Sequence, residues 1–178
     1  VHRHITIFHH LQAHPEYRFH PIFKWFEQWC NDEFSHGEAF ALIMKADPKL
    51  TRGINRYWIK FFLTAVYSTM FVRDHQRPAF HKALGIDPDE YAHAVFTKTS
   101  EISRQVFPMT LDIEHPRWIR NLRRLQRANV ALADAKRDGK LFKRLGAQAR
   151  AGLAFVSLLT IPSIPNEVPQ TTRLEPAY

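Results

Sequence analysis

A chain of 178 residues, 45% hydrophobic and 13% aromatic, has material for one domain with a sizeable core. Only six Gly and no alternating apolar pattern argue against a β protein, so all-α is the expected class, and a single Cys30 excludes an internal disulfide and suits a reducing compartment. The net charge of +8 sits in one stretch: residues 117–150 hold eleven Lys/Arg against two Asp, or +9, which leaves −1 elsewhere and points to an anionic lipid surface or an acidic partner, and away from nucleic acid.

Residues 1–14 set Ile5, Ile7, Phe8 and Leu11 among five histidines and read as the end of a helix, with His9 and His10 in solvent-facing or helix-end roles. The chain opens V-H-R-H, with neither Met nor a signal-peptide pattern, and reads as cut from something longer. Pro21 suits the first turn of a helix reaching about Ala46, before Asp47-Pro48. Along it Ile22, Phe26, Trp29, Glu33, His36, Phe40 and Ile43 advance by alternating steps of four and three. One stripe therefore runs apolar, then Glu and His, then apolar again. Asp32-Glu33-x-x-His36 puts a carboxylate and an imidazole one turn apart, so both can reach one metal ion from one helix face. Burying that carboxylate alone is costly, so it requires a partner. A metal ion is one such partner; Arg, Lys or a backbone group is another. Cys30 reads as a small core residue.

A third helix starts near Thr51–Asn55 and extends to about Arg77. Ile54, Trp58, Phe62, Val66 and Met70 step by four along it, widened by Phe61, Leu63 and Ala65, and this helix is expected to be buried on most sides. Asp74 is the next step, with Arg77 as its expected ion-pair partner. Pro78 ends the helix, and Gly85 stops a short piece over 80–84. Asp87-Pro88-Asp89-Glu90 then reads as a helix start, with Asp87 as cap and Glu90 in the capping-box position. Asp89-Glu90-x-x-His93 repeats the D-E-x-x-H pattern, but periodicity sets Glu90, His93, Thr97 and Arg104 opposite the apolar Tyr91, Ala94, Val95, Ile102 and Val106. Capping, rather than ligation, is the role expected of Glu90.

Phe107-Pro108 breaks this helix and Pro116 opens the next, in which Ile119, Leu122, Leu125, Val130 and Leu132 alternate with arginines. After Asp138-Gly139, a last helix from Lys140 to about Thr160 turns from basic to apolar. Such a helix suits peripheral membrane contact, or docking of its apolar end on the core. Residues 161–178, with four Pro, are expected to form an extended or disordered tail. The longest apolar runs, about a dozen residues, fall short of the roughly 20 that a spanning helix needs.

Taken together, Ile5-Thr6-Ile7, Pro21-Ile22-Phe23-Lys24 and F-E-Q-W-C-N-D-E-x-x-H-G resemble the second half of the aerobic, oxygen-dependent magnesium-protoporphyrin IX monomethyl ester cyclases. Further blocks agree in order and spacing over roughly residues 3–120: Phe61-Phe62, Tyr67-x-Thr69-Met70, Asp74-x-Gln76-Arg77, Gly85-Ile86-Asp87, Glu90-Tyr91-x-x-His93, Arg104-x-Val106-Phe107-Pro108-x-x-Leu111-Asp112 and His115-Pro116. The resemblance implies a ferritin-like helical bundle with a carboxylate-bridged di-iron centre. That centre would activate oxygen and close the fifth ring of the Mg-porphyrin to give divinyl protochlorophyllide in chlorophyll and bacteriochlorophyll synthesis. It implies Glu33 and His36 as iron ligands and Asp32 as the acid that orients a histidine behind them. Ser35 stands where the family usually has Arg. The other motif and both single Glu ligands belong upstream of the match, so this stretch would hold two of six protein ligands and lack activity alone.

Also implied are an electron donor (ferredoxin or an NADPH-dependent reductase), a small accessory subunit, and a peripheral position on the cytoplasmic side of the photosynthetic membrane. The expected organisation is a partial ferritin-like domain over 1–113, a basic helical extension over 114–161 and the tail over 162–178. The residues alone also suit a non-catalytic helical module that binds a membrane surface or acidic partner through its basic segment, with Glu33 and His36 hydrogen-bonded in the core.

Overall fold

Proline sets the starts of α4, α5 and α6, the helices at Pro78–Ala83, Pro88–Ser103 and Arg117–Arg137. The computed structural model describes residues 2–169 and 173–174, with side chains from residue 6 onward. Seven α-helices are found among the described residues: α1 (His2–Ala13), α2 (Phe26–Ala46), α3 (Asn55–His75), α4 (Pro78–Ala83), α5 (Pro88–Ser103), α6 (Arg117–Arg137) and α7 (Leu141–Leu159). Asp87 caps α5 as expected, its carboxylate accepting from the Asp89 and Glu90 amides at 2.9 and 3.0 Å, with Pro88 in the first turn. Residues 21–25 form a 3-10 turn, so α2 begins at Phe26, five residues later than the proline suggested. The fold is all-α apart from a two-stranded antiparallel ribbon, β1 (Met109–Leu111) and β2 (Ser163–Pro165), with Thr110 opposite Ile164.

The ribbon gives the proline-rich end a structural role that composition did not reveal. β2 pairs the chain after α7 back onto the segment between α5 and α6, and Asn166 extends the contact by donating to the Phe107 carbonyl at 3.2 Å. Further on, the Leu174 amide donates to Glu38 on α2 at 3.0 Å, and the Leu174 side chain is buried.

The largest core brings α3, α5, β1, α6 and α7 together through Tyr67, Phe71, Ala92, Phe96, Leu111, Trp118, Leu122, Leu125, Ala154, Leu158 and Ile161. Tyr67 is its hub: its ring stacks on Phe96 at 4.9 Å and 2°, meets Trp118 edge-on at 6.1 Å, and its hydroxyl bonds Ser100 Oγ at 3.1 Å. The basic helix α6 and the apolar end of α7 thus share one core with α3 and α5. A second core joins α1, α2, α4 and α5 through Ile7, Leu11, Phe26, Leu84, Tyr91 and Val95. His10, expected to face solvent or end a helix, ties α1 to this core by donating from Nε2 to the Leu84 carbonyl at 2.6 Å. Beside it Gly85 (φ +65°) turns the chain out of α4, and a Cβ there would run into the Tyr17 ring.

Two faces expected to be buried come out mostly exposed. On α3 Ile54, Trp58, Phe62 and Val66 of the stripe are exposed and Met70 is half-buried against the second core, while Ile59, Thr64, Tyr67, Ser68, Phe71 and Asp74 are buried. This helix is apolar almost all round, so periodicity marked it as buried without saying which side this chain covers. The side that is covered is the one whose Tyr67 and Phe71 pack with Leu122 and Leu125 of α6 and Ala154 and Leu158 of α7. The same choice recurs on α2, where it bears on function.

Candidate metal-binding face

Helix α2 carries two apolar faces about 100° apart on a wheel of 100° per residue. One holds Cys30, Phe34, Gly37, Ala41 and Met44 and turns inward; Ala41 joins Val106 and Leu174 in a third small core with Phe34, Met44, Ile102 and Phe107 against it. This face lines an apolar pocket of about 160 Å³ bounded across the gap by Ile102, Val106, Phe107 and Leu174. Cys30 is buried here as expected, and burial, reinforced by Glu27 and Glu33, pushes its thiol up.

The stripe singled out by spacing is the other face, and it points away from the body of the chain. Phe26 alone of its members is buried, at the edge both faces share; Ile22, Trp29, Phe40 (71% exposed) and Ile43 are open, His36 is exposed and Glu33 half-buried. The carboxylate therefore has water as well as protein partners. Its Oε1 accepts from the Trp29 indole N–H at 3.2 Å, an i,i+4 bond that spacing could have signalled. Asp32 is exposed and makes no hydrogen bond or ion pair among the described residues. Ser35 donates to the Asn31 carbonyl at 3.0 Å, so in the place of an arginine it satisfies itself on its own helix and offers Asp32 nothing.

Glu33 and His36 are the right donors for iron, a hard carboxylate oxygen and a borderline imidazole nitrogen, both reachable from one direction. As a donor set they are incomplete: among the described residues no three His, Cys, Asp or Glu come together so as to hold a metal ion. The pair fits two positions of a larger site and completes none by itself.

The second D-E-x-x-H does not fill the gap. Asp89 receives His75 Nε2 at 3.0 Å and Arg123 at 2.8 Å, linking α5 to α3 and α6, and His93 Nε2 bonds Glu114 at 2.8 Å. Both sit at the surface in structural pairs, and Glu90 lies exposed in the first turn of α5, where its backbone amide is capped by Asp87. Asp74, foreseen on the inner face of α3, is buried.

Residues 1–44 match the rubrerythrin family, in keeping with a ferritin-like helical fold. No solved structure matches the chain. Among curated proteins, the chain is 49% identical over 179 residues to the aerobic magnesium-protoporphyrin IX monomethyl ester oxidative cyclase of Rubrivivax gelatinosus, covering 99% of this chain and 50% of that protein. It is 42% identical over 174 residues to the magnesium-protoporphyrin IX monomethyl ester oxidative cyclase of Synechococcus elongatus, covering 94% and 49%, and 48% identical over 117 residues to that of Cyanidium caldarium, covering 65% and 33%. The chain spans about half the length, or less, of these relatives. It is a homologue, along most of its own length, of a portion of the magnesium-protoporphyrin IX monomethyl ester oxidative cyclases.

Proposed function

We propose that this chain is part of an oxygen-dependent oxidative cyclase that forms the fifth ring of Mg-protoporphyrin IX monomethyl ester to give divinyl protochlorophyllide. What supports the reading above all is 49% identity over 99% of the chain to a protein named for that reaction. The outward-facing Glu33 and His36 agree with it, because a site shared with a further helical half needs its donors on the side this chain leaves open. Two iron ions bound there would supply the activation of oxygen.

The chain's own residues then have distinct tasks. Glu33 offers a carboxylate held by the Trp29 indole N–H, and His36 offers a ring nitrogen one turn later on the same face. Asp32, which makes no hydrogen bond or ion pair among the described residues, would orient a histidine of the facing half. Trp29, Phe40 and Ile43 on either side would exclude water once covered. With two donors only, residues 1–178 by themselves do not turn over substrate. Electrons come from ferredoxin or an NADPH-dependent reductase, with a small accessory subunit assisting, at the cytoplasmic face of a photosynthetic membrane.

A chimera in which this chain replaces the matching half of the Rubrivivax gelatinosus relative tests the reading. The chimera should bind iron and close the ring; Glu33→Ala and His36→Ala should each lower iron content and abolish ring closure with helicity unchanged. Full iron loading in both variants would remove the ligand assignment, and a folded, iron-loaded chimera without ring closure would remove the cyclase reading.

A further inference from the structure

Helix α7 is the strangest surface of the molecule. Its inner side, Ala147, Ala154 and Leu158, is buried in the main core against α3 and α6. Its outer side is apolar as well: Leu141, Phe142 (88% exposed), Leu145, Leu153 (63% exposed) and Val156 all stand open. At 100° per residue they form one arc about 120° wide running the length of the helix, with Ala149 and Gly152 between them and Gly146 just beyond its edge. A Cβ added to either glycine would meet nothing within 4 Å, so the arc is smooth and unobstructed. A helix apolar on both sides needs cover on both, and only one is covered within the chain.

The charges around the arc say what kind of cover fits. Lys143 and Arg150 border it on one side and Arg144 on the other, and none of the three is in an ion pair among the described residues. Lys140, at the start of the helix, is held by Asp138 at 3.0 Å. From Gly139 to Asn166 there is no Asp or Glu at all. The exposed aromatic face of α2 and α3 differs in this respect, because Glu33 lies within it and Asp32 beside it. No helix of the described residues is long and apolar enough to cross a membrane. An apolar arc with cations on both borders and no acid matches a helix lying in the plane of a lipid interface, where the side chains of Lys and Arg reach up to the headgroups.

We propose that the outer face of α7, Leu141, Phe142, Leu145, Leu153 and Val156 bordered by Lys143, Arg144 and Arg150, docks on an anionic lipid surface. The inference gives the peripheral membrane position of the proposed function a specific surface, yet it rests on the chemistry of α7 and not on ring closure, so either can fail without the other.

Vesicle co-sedimentation of the chain tests it, with phosphatidylcholine alone or mixed with phosphatidylglycerol. Binding should require phosphatidylglycerol and weaken as salt rises. The triple variant Lys143→Gln, Arg144→Gln, Arg150→Gln should bind on the order of 100-fold more weakly, at about fivefold per surface cation. Phe142→Ser with Leu145→Ser should lose on the order of 100-fold through apolar contact, and because both residues are exposed the circular dichroism and thermal midpoint should stay unchanged. Equal binding to both vesicle types would overturn the anionic-lipid assignment. So would an absence of vesicle binding, whether the chain stays monomeric or forms a dimer that Phe142→Ser dissolves, since the cover would then be protein.

Discussion

Replacing Tyr67 by Phe removes one oxygen atom from the centre of the main core, and its effect can be worked out at two pH values. Tyr67 is 1% exposed and spans α3 and α5 through its bond to Ser100 Oγ, which is itself buried. Losing a neutral hydrogen bond costs about 1 kcal/mol, and a serine left short of a partner raises that to about 1.5 kcal/mol at neutral pH. The ring contacts with Phe96 and Trp118 survive, so no cavity term is added. Burial pushes the Tyr67 phenol up to about 12, against an ordinary value of 10, and its hydroxyl neighbours offset only part of this. The folded chain therefore keeps this proton to higher pH than the unfolded chain does. The stabilisation is fully present below about pH 10 and is lost as pH rises toward about 12, amounting to about 3 kcal/mol. The wild type should thus begin about 1.5 kcal/mol more stable than Tyr67→Phe, lose that lead near pH 11 and be the less stable protein above it. Urea unfolding of both proteins at several pH values between neutrality and 12 measures the difference directly, and every other titrating group cancels in the comparison. Two stability curves that stay parallel across this range would refute the raised phenol of Tyr67.

Two further predictions test the helix boundaries that orient the site. Gly85→Ala should cost about 3 kcal/mol, combining a left-handed backbone with overlap of the Tyr17 ring, and Tyr17→Ala in the same chain should restore the part due to overlap; a cost below about 1 kcal/mol in urea unfolding would remove the argument. Asp87→Ala should cost about 1 kcal/mol by leaving the Asp89 and Glu90 amides uncapped, while Asp87→Asn costs much less, and equal losses in the two variants would assign the effect to charge rather than to capping.

Local chemistry carries little ambiguity, and the sequence alone was enough for it. Pro88, Asp87 and Gly85 act through backbone geometry within a few residues, so the start of α5 and the stop after α4 were legible, as were the all-α class and the placement of Glu90 and His93 away from the core, whereas α4 starts at Pro78 rather than near residue 80 and α5 ends at Ser103, ahead of Phe107-Pro108. The short motif with Glu33 and His36 was legible for the same reason: a spacing of three residues on a helix fixes a shared face whatever surrounds it. Which face of α2 or α3 this chain buries could not be read in that way. Both helices are apolar over more than one side, and the choice depends on contacts distant in sequence: Tyr67 and Phe71 against α6 and α7, Ala41 against Val106 and Leu174. The β1–β2 pairing joins residues more than fifty positions apart through backbone groups that every residue has, so no side-chain pattern announces it. The sequence by itself determined the all-α class and the shared helix face of Glu33 and His36; only the tertiary structure decided that this face points outward, because burial is a property of what packs against a helix and not of the helix alone.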